Sequence, residues 1–259
     1  MNELVTNFKR YTPLLNELVT RDIKTKYRRS VLGVLWTLLN PLLMMTVLSI
    51  IFSQLFGRFN IENYPIYLLS GQVIFNFFSE STSMSMTSII NNAPLLKKVY
   101  IPKYMFVLSR TVSSAINLLA SFAALIIVMF VTRAQLHYTV VLSIIPILFL
   151  IMFSVGVGLI LAAFAVKFRD IVHLYSVFTT VLMYLTPVIY PISSLPGWVA
   201  TIVKINPITS ILTMFRCFML DGCMPDVFTI CMTIIPSVLL LLLGGYVFYK
   251  KQDDFILYI

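Results

Sequence analysis

Charge is scarce in this chain, and acid is scarcer than base. Charged residues make up 11% of the 259 positions, less than half of the ~25% found in ordinary soluble domains. A polar shell of normal density cannot be drawn from that supply. Hydrophobic residues reach 59% and the mean hydropathy is +0.93, so lipid is the expected solvent. Histidine is nearly missing: His137 and His173 lie near opposite ends of apolar runs and cannot form one site. The three cysteines, Cys217, Cys223 and Cys231, match no metal-ligand spacing and have no histidine neighbour. Free buried thiols are expected and no metal site, with a Cys217–Cys223 bridge as the alternative. No Gly-x-x-x-x-Gly-Lys-Ser/Thr phosphate loop, His-Glu-x-x-His or Gly-x-Ser-x-Gly occurs. Hydrolysis of ATP by such a loop is therefore excluded, and catalytic residues are expected to be none.

The net charge is +9, but the bases form no single patch on a polar domain, so nucleic acid is excluded as a partner. They sit between long apolar runs. A span needs about 20 apolar residues, and six stretches qualify: 31–56, 64–90, 106–131, 140–166, 171–190 and 227–249. About thirty mostly polar residues precede the first of them, which is not the layout of a signal peptide. The stretch 191–226 holds two apolar pieces, 198–205 and 208–220, each too short to cross. Asn206 and Pro207 divide them as an N-cap and a first helical position. A re-entrant helical hairpin is predicted, with a broken seventh span as the alternative. Loop charge separates the two. Six spans place the bases of 9–29, 97–110, 167–169 and 250–251 on one side and only Arg58, Arg133, Lys204 and Arg216 on the other. Positive charge stays cytoplasmic, so both termini are expected there. A seventh span would put Lys250 and Lys251 outside.

Three polar features stand out. At the N-terminus, Thr12 can cap a helix that has Pro13 at its first position. Leu15, Leu18, Val19, Ile23 and Tyr27 then share a face, with Glu17, Arg21, Lys24 and Arg28 elsewhere, as in an amphipathic interface helix. In the second span Gln72, Asn76, Ser79, Glu80, Ser83 and Thr87 recur at helical spacing, and polar groups facing lipid are costly. Glu80 is either a pathway residue or part of a structural ion pair, Arg110 being one possible partner. In the loop 91–102, Pro94 can start a short helix and Pro102 stops it. Leu95, Leu96 and Val99 form an apolar face while Lys97 and Lys98 point away. That pattern suits docking to a partner protein; a membrane-surface loop is the alternative.

These residues carry a resemblance. The segment from Arg21-Asp22-Ile23 through Tyr27-Arg28-Arg29 to Gly33-Val34-Leu35-Trp36 resembles the opening signature of type-2 ABC exporter permease subunits. The similarity is greatest to the branch that exports O-antigen, teichoic acid and related cell-surface polysaccharide. Asn40-Pro41, Tyr67-Leu68-Leu69-Ser70-Gly71, Phe77-Phe78-Ser79, Leu95-Leu96-Lys97-Lys98 with Ile101-Pro102, Phe168-Arg169-Asp170-Ile171, Thr186-Pro187-Val188-Ile189-Tyr190 and Asn206-Pro207-Ile208-Thr209 with Arg216 follow in order along nearly the whole chain. Phe75 departs from the pattern, where relatives often have Trp.

The resemblance implies one all-α transmembrane domain over 1–259: an interface helix region 1–30, a six-span bundle 31–249 and a tail 250–259. It implies a multi-pass protein of the bacterial cytoplasmic membrane, acting as a homodimer with a separate ATPase. ATP and Mg would belong to that partner, and no cofactor to this chain. Residues Pro94, Leu95, Leu96, Lys97, Lys98, Val99 and Tyr100 would form the coupling helix. Leu15, Leu18, Arg21, Asp22, Tyr27 and Arg28 would mark the interface helix, and Pro196, Trp198, Asn206, Pro207 and Arg216 the re-entrant hairpin. A polyprenyl-diphosphate-linked glycan would pass along the dimer interface. Trp36, Asn40, Gln72, Phe75, Asn76, Phe78, Glu80, Tyr184 and Tyr190 are the candidates for lining it. Sugar C–H faces pack on aromatic rings, which offer large rigid area. The alternative within the superfamily is a drug or small-lipid exporter. A polyprenol-dependent membrane enzyme would need an acidic or histidine cluster, and a secondary transporter internal repeats. The echo of Arg21-Asp22-Ile23 in Arg169-Asp170-Ile171 is too short for one.

Overall fold

Apolar runs of this length satisfy their backbone groups internally by becoming helices, and all regular structure among the described residues is helical. A computed structural model of the chain describes residues 2–28, 30, 32–56, 61, 63–135 and 137–258. The side chains of 2–10, 27, 34, 53–56 and 256 lie outside the described set, which removes Tyr27 from the expected apolar face of the first helix.

The helices are α1 (Asn2–Tyr27), α2 (Trp36–Phe56), α3 (Tyr64–Met86), α4 (Ser88–Asn91), α5 (Ala93–Leu96) and α6 (Tyr104–Val131). They continue as α7 (Ile144–Ala165), α8 (Ile171–Leu185), α9 (Gly197–Ile205), α10 (Pro207–Arg216), α11 (Val227–Lys251) and α12 (Phe255–Tyr258). Three helical stretches are long and apolar enough to cross a membrane: Tyr104–Val131, Tyr138–Ala165 and Val227–Asp254. Trp36–Phe52 and Ile171–Leu185 are shorter apolar helices.

Two expected spans end early for local reasons. Thr186 is extended (φ −103°, ψ 132°) because Pro187 crowds the residue before it out of the helical region. The 15 residues of α8 therefore reach only ~22 Å at ~1.5 Å per residue. The second expected span breaks at Thr87 and restarts as the single turn α4. In the other direction, α1 runs through Pro13 rather than starting there. Proline's fixed φ is helical, so the helix tolerates it at the loss of one hydrogen bond.

The most polar span lies at the centre. Sixteen of the 23 residues of α3 are buried, enclosed by α2, α6, α7, α8 and α10. Its buried hydroxyls Ser81 and Thr82 bond to neighbouring helices. Ser81 Oγ donates to Thr111 Oγ1 (3.3 Å) on α6, and Tyr175 Oη on α8 to Thr82 Oγ1 (2.6 Å). The main apolar core surrounds it, with Phe78, Phe153, Ile211 and Phe215 among its members. A second core, built on Leu18, Ile89, Phe106, Phe248 and Phe255, joins α1 and the C-terminal segment to the bundle.

Helices α7 and α11 cross at backbone contact. A Cβ at Gly244 would lie 2.3 Å from Gly156 O, and one at Gly156 2.4 Å from the Leu240 carbonyl carbon. Small residues permit this approach between helices in lipid, and backbone cannot yield as a side chain can. Gly244→Leu is expected to cost about 3 kcal/mol or more, the upper end for overpacking. Size-exclusion chromatography after detergent extraction checks it: a monodisperse peak at parental yield would contradict the packing.

Candidate functional site

Where α1 meets α3 and α6, charged side chains converge. They line a cleft of about 500 Å³ with Asn91, Asn92, Ser113 and Asn117 among its walls. Asp22, on the buried face of α1, accepts from Arg110 of α6 at 2.9 Å and lies 3.4 Å from Arg21. Arg21 Nη2 also donates to Asn92 Oδ1 (2.9 Å), and Asn92 Nδ2 to Ser88 O (2.8 Å). One hydrogen-bonded chain thus runs from α6 through α1 to the turn preceding α5. Beside it Lys26 Nζ meets Glu80 Oε1 at 2.7 Å, and Asn117 Nδ2 donates to the same oxygen at 2.8 Å. Glu80 and Arg110, one possible pairing, do not meet: each finds its partner on α1. The set contains no histidine or thiol. It can transmit position between α1, α3 and α6.

The predicted apolar face of α1 exists, since Leu15, Leu18 and Val19 are buried while Glu17, Arg21, Lys24 and Arg28 are exposed. That face is covered by α6 and the second core. The expected docking loop differs more. Helix α5 is one turn long, and Leu95 and Leu96 pack inward against the second core. Pro94, Lys97 and Lys98 are exposed. The apolar surface presented outward is Val99, 52% exposed, and Tyr100, 90% exposed. Leu95 and Leu96 are partly buried and anchor the loop to that core.

Gln72, Phe75 and Phe78, three of the candidates for lining a path, lie inside the subunit rather than on its surface, and Phe78 packs its ring 5.6 Å from that of Phe153. Central placement of α3 is the reason. Trp36, Asn40, Asn76 and Tyr184 are on the surface. Glu80 is partly exposed, and Tyr190 is partly buried with its hydroxyl donating to Tyr184 O (2.6 Å).

At the far end, α9 and α10 meet at 89°, a bend that fits either a re-entrant pair or a broken span. The capping prediction is realised: Asn206 Oδ1 accepts from Ile208 N (3.1 Å) with Pro207 in the first turn. Asn206 Nδ2 also donates to Thr186 Oγ1 (3.2 Å), tying the bend to the end of α8. Pro196 and Trp198 are exposed.

Arg216 overturns its expected place as a loop charge. It is 7% exposed. Its guanidinium donates to Pro187 O (2.8 Å), Tyr67 O (2.9 Å), Ser70 Oγ (3.1 Å) and Val188 O (3.2 Å). It also stacks on the Tyr67 ring with its central carbon 3.5 Å from the centroid. The carbonyls after α8 and a planar donor fork suit each other. A Cβ at Gly71 would lie 2.8 Å from Arg216 Nη2, so the glycine makes the room. The Ser70-Gly71 pair and Pro187 were the visible signals, but nothing local linked them to position 216.

The cysteines are free as expected, but Cys223 and Cys231 are exposed rather than buried. A π-turn over Cys217–Asp221 and Gly222 at φ 63° reverse the chain, so that Cys223 N donates to Cys217 O (3.0 Å). The ligand atoms of Cys217, Asp221 and Cys223 then lie within 4.8 Å of one another. All three cysteines are free thiols, and Cys231 is exposed on α11.

Comparison with known proteins extends the picture over the whole chain. The profile of the ABC-2 type transporter family matches residues 13–220. The chain is 31% identical over 257 residues to the O-antigen export system permease protein RfbA of Myxococcus xanthus, covering 98% of each. It is 28% identical over 211 residues to the RfbA permease of Klebsiella pneumoniae, covering 81% of each. With the polysialic acid transport protein KpsM of Escherichia coli it shares 22% identity over 207 residues, 79% of this chain and 80% of the other.

Proposed function

This chain belongs to the ABC-2 type transporter family, and from that premise we propose that it is the transmembrane subunit of an ATP-driven exporter of lipid-linked cell-surface polysaccharide. The likeness along 98% of the chain to a permease named for O-antigen export is the observation that carries this most directly. The cargo is a polyprenyl-diphosphate-linked glycan of the O-antigen, teichoic acid or rhamnan-like class.

Two copies, each with six spans, share a path in the cytoplasmic membrane of a bacterium. Both termini face the cytoplasm, in keeping with the crowding of bases around them. The α9–α10 pair enters from the outer side and returns. Helices α2 and α8 carry exposed apolar rows at helical spacing, Leu43, Met44, Val47, Ile50 and Ile51 on one and Leu174, Val177, Phe178, Val181 and Tyr184 on the other. These rows meet the second copy and lipid, with Trp36, Asn40, Asn76 and Tyr184 toward the path. A separate ATPase supplies ATP and Mg chemistry. Its closure pushes on the loop that ends in Val99 and Tyr100, and the Asp22–Arg110 and Lys26–Glu80 contacts pass the movement on as a rigid-body shift.

Deleting the gene is expected to remove the polysaccharide from the cell surface and accumulate its lipid-linked form inside. Surface glycan that persists at parental level would refute the assignment, and new drug sensitivity in its place would favour the drug-exporter alternative. Glu80→Gln offers a finer test. Its pair with Lys26 is half open to solvent, with side chains 29% and 45% exposed, and such pairs contribute about 1 kcal/mol or less. Thermal unfolding should therefore change little while export falls. Normal export by that variant would reduce Glu80 to a structural contact.

A further inference from the structure

The geometry points to a binding site for a thiophilic divalent cation of the zinc class, formed by Cys217, Asp221 and Cys223 where α10 turns back toward α11. These residues stand in the order Cys-x-x-x-Asp-x-Cys, and only the local backbone brings them together. The first and last residues of the π-turn Cys217–Asp221 are two of the donors. Gly222, at φ 63°, then swings Cys223 back over Cys217, with the amide of Cys223 bonded to the carbonyl of Cys217 at 3.0 Å. Left-handed backbone suits glycine, and a Cβ there would meet the His137 ring at 2.6 Å. Both reasons hold the reversal in place.

Each of the three residues offers one ligand atom, and these atoms lie within 4.8 Å of one another. Two sulfurs and one carboxylate oxygen so arranged can close on one tetrahedral ion at about 2.0–2.3 Å from each. Thiolate donors select soft or borderline metals over magnesium or calcium. Binding displaces the two thiol protons to solvent and leaves two thiolates and a carboxylate on the metal. Asp221 also lines a cavity of about 610 Å³ together with His137 and Arg133. Water would complete the set at a fourth coordination position. The ion would staple the end of α10 to the strand of chain leading into α11, beside the buried Arg216.

The test uses the full chain purified under reducing conditions, stripped with chelator and titrated with zinc, and with cobalt(II) as the spectroscopic probe. One ion per chain is expected, with the visible absorption of tetrahedral cobalt–thiolate and a zinc-dependent rise in the unfolding midpoint. Cys223→Ser should weaken binding by about 100-fold or more, since losing even an outer-shell partner typically costs 10- to 100-fold. Asp221→Asn should weaken it as well. Cys231→Ser should leave it unchanged. Cys223 and Asp221 are both exposed, so their variants are suited to separate loss of binding from loss of fold. Absence of zinc binding by the reduced chain overturns the proposal. So does an intact mass two units low, with Cys217 and Cys223 unreactive to thiol reagents, because these would then be a disulfide.

Discussion

Arg216→Leu is expected to lower the midpoint of thermal unfolding by about 10 °C. The guanidinium donates to three backbone carbonyls, those of Tyr67, Pro187 and Val188, and is the one described donor to the last of them. Leucine fills part of the volume and bonds to none of them. Each buried acceptor left without a partner costs roughly 1–3 kcal/mol, and in a chain of this size each kcal/mol moves the midpoint by about 2–4 °C. The loss falls where three segments meet: the start of α3, the chain after α8 and the end of α10. Arg216→Lys separates charge from shape. Lysine keeps the cation but brings a compact ammonium where a planar fork is needed, so an intermediate midpoint is expected. A leucine variant that unfolds within about 2 °C of the parent, less than 1 kcal/mol, would show that these bonds do not hold the outer end together.

That arrangement also shows what could and could not be read from residues alone. Local rules served well: the Asn206 cap with Pro207 behind it, the buried row Leu15, Leu18 and Val19, and the long apolar runs of α6, α7 and α11 all follow from spacing or from one residue's own chemistry. Long-range pairings were beyond those rules. Arg216 and Ser70 lie 146 positions apart, and nothing in either neighbourhood names the other. Asp22 and Arg110 pair across the second core for the same reason. Periodicity in α3 marked a polar face, and it is real at Asn76, Glu80 and Ser83. It could not show that the opposite face, with Ser81 and Ser85, is enclosed too, because enclosure depends on how many other helices gather around. The burial of Phe75 and Phe78 within the subunit was hidden by that gap. Helix α5 failed differently. A single turn carries too few residues to define a face, so its packing is set by the elements it joins.

The outward residues of that loop give the last and sharpest expectation. Tyr100→Asp is expected to reduce export to background while the protein inserts and unfolds as the parent does. Tyr100 is 90% exposed and Val99 52%, so a charge at either position meets water in the isolated subunit and costs the fold little. In the proposed complex the same side chains are covered by the ATPase. Tyrosine is among the residues that most often anchor interfaces, and truncating such an anchor typically costs 2 kcal/mol or more, about 30-fold in affinity. A carboxylate buried there costs further. Leu95→Asp must behave in the opposite way, because Leu95 packs against the second core: it should lower the unfolding midpoint first and lose export as a consequence. Measured side by side, export and thermal unfolding therefore distinguish a contact made to a partner from one made within the chain. Normal export by Tyr100→Asp would mean that the ATPase engages some other surface, and the route from that loop through Arg21 and Asp22 into the bundle would lose its starting point.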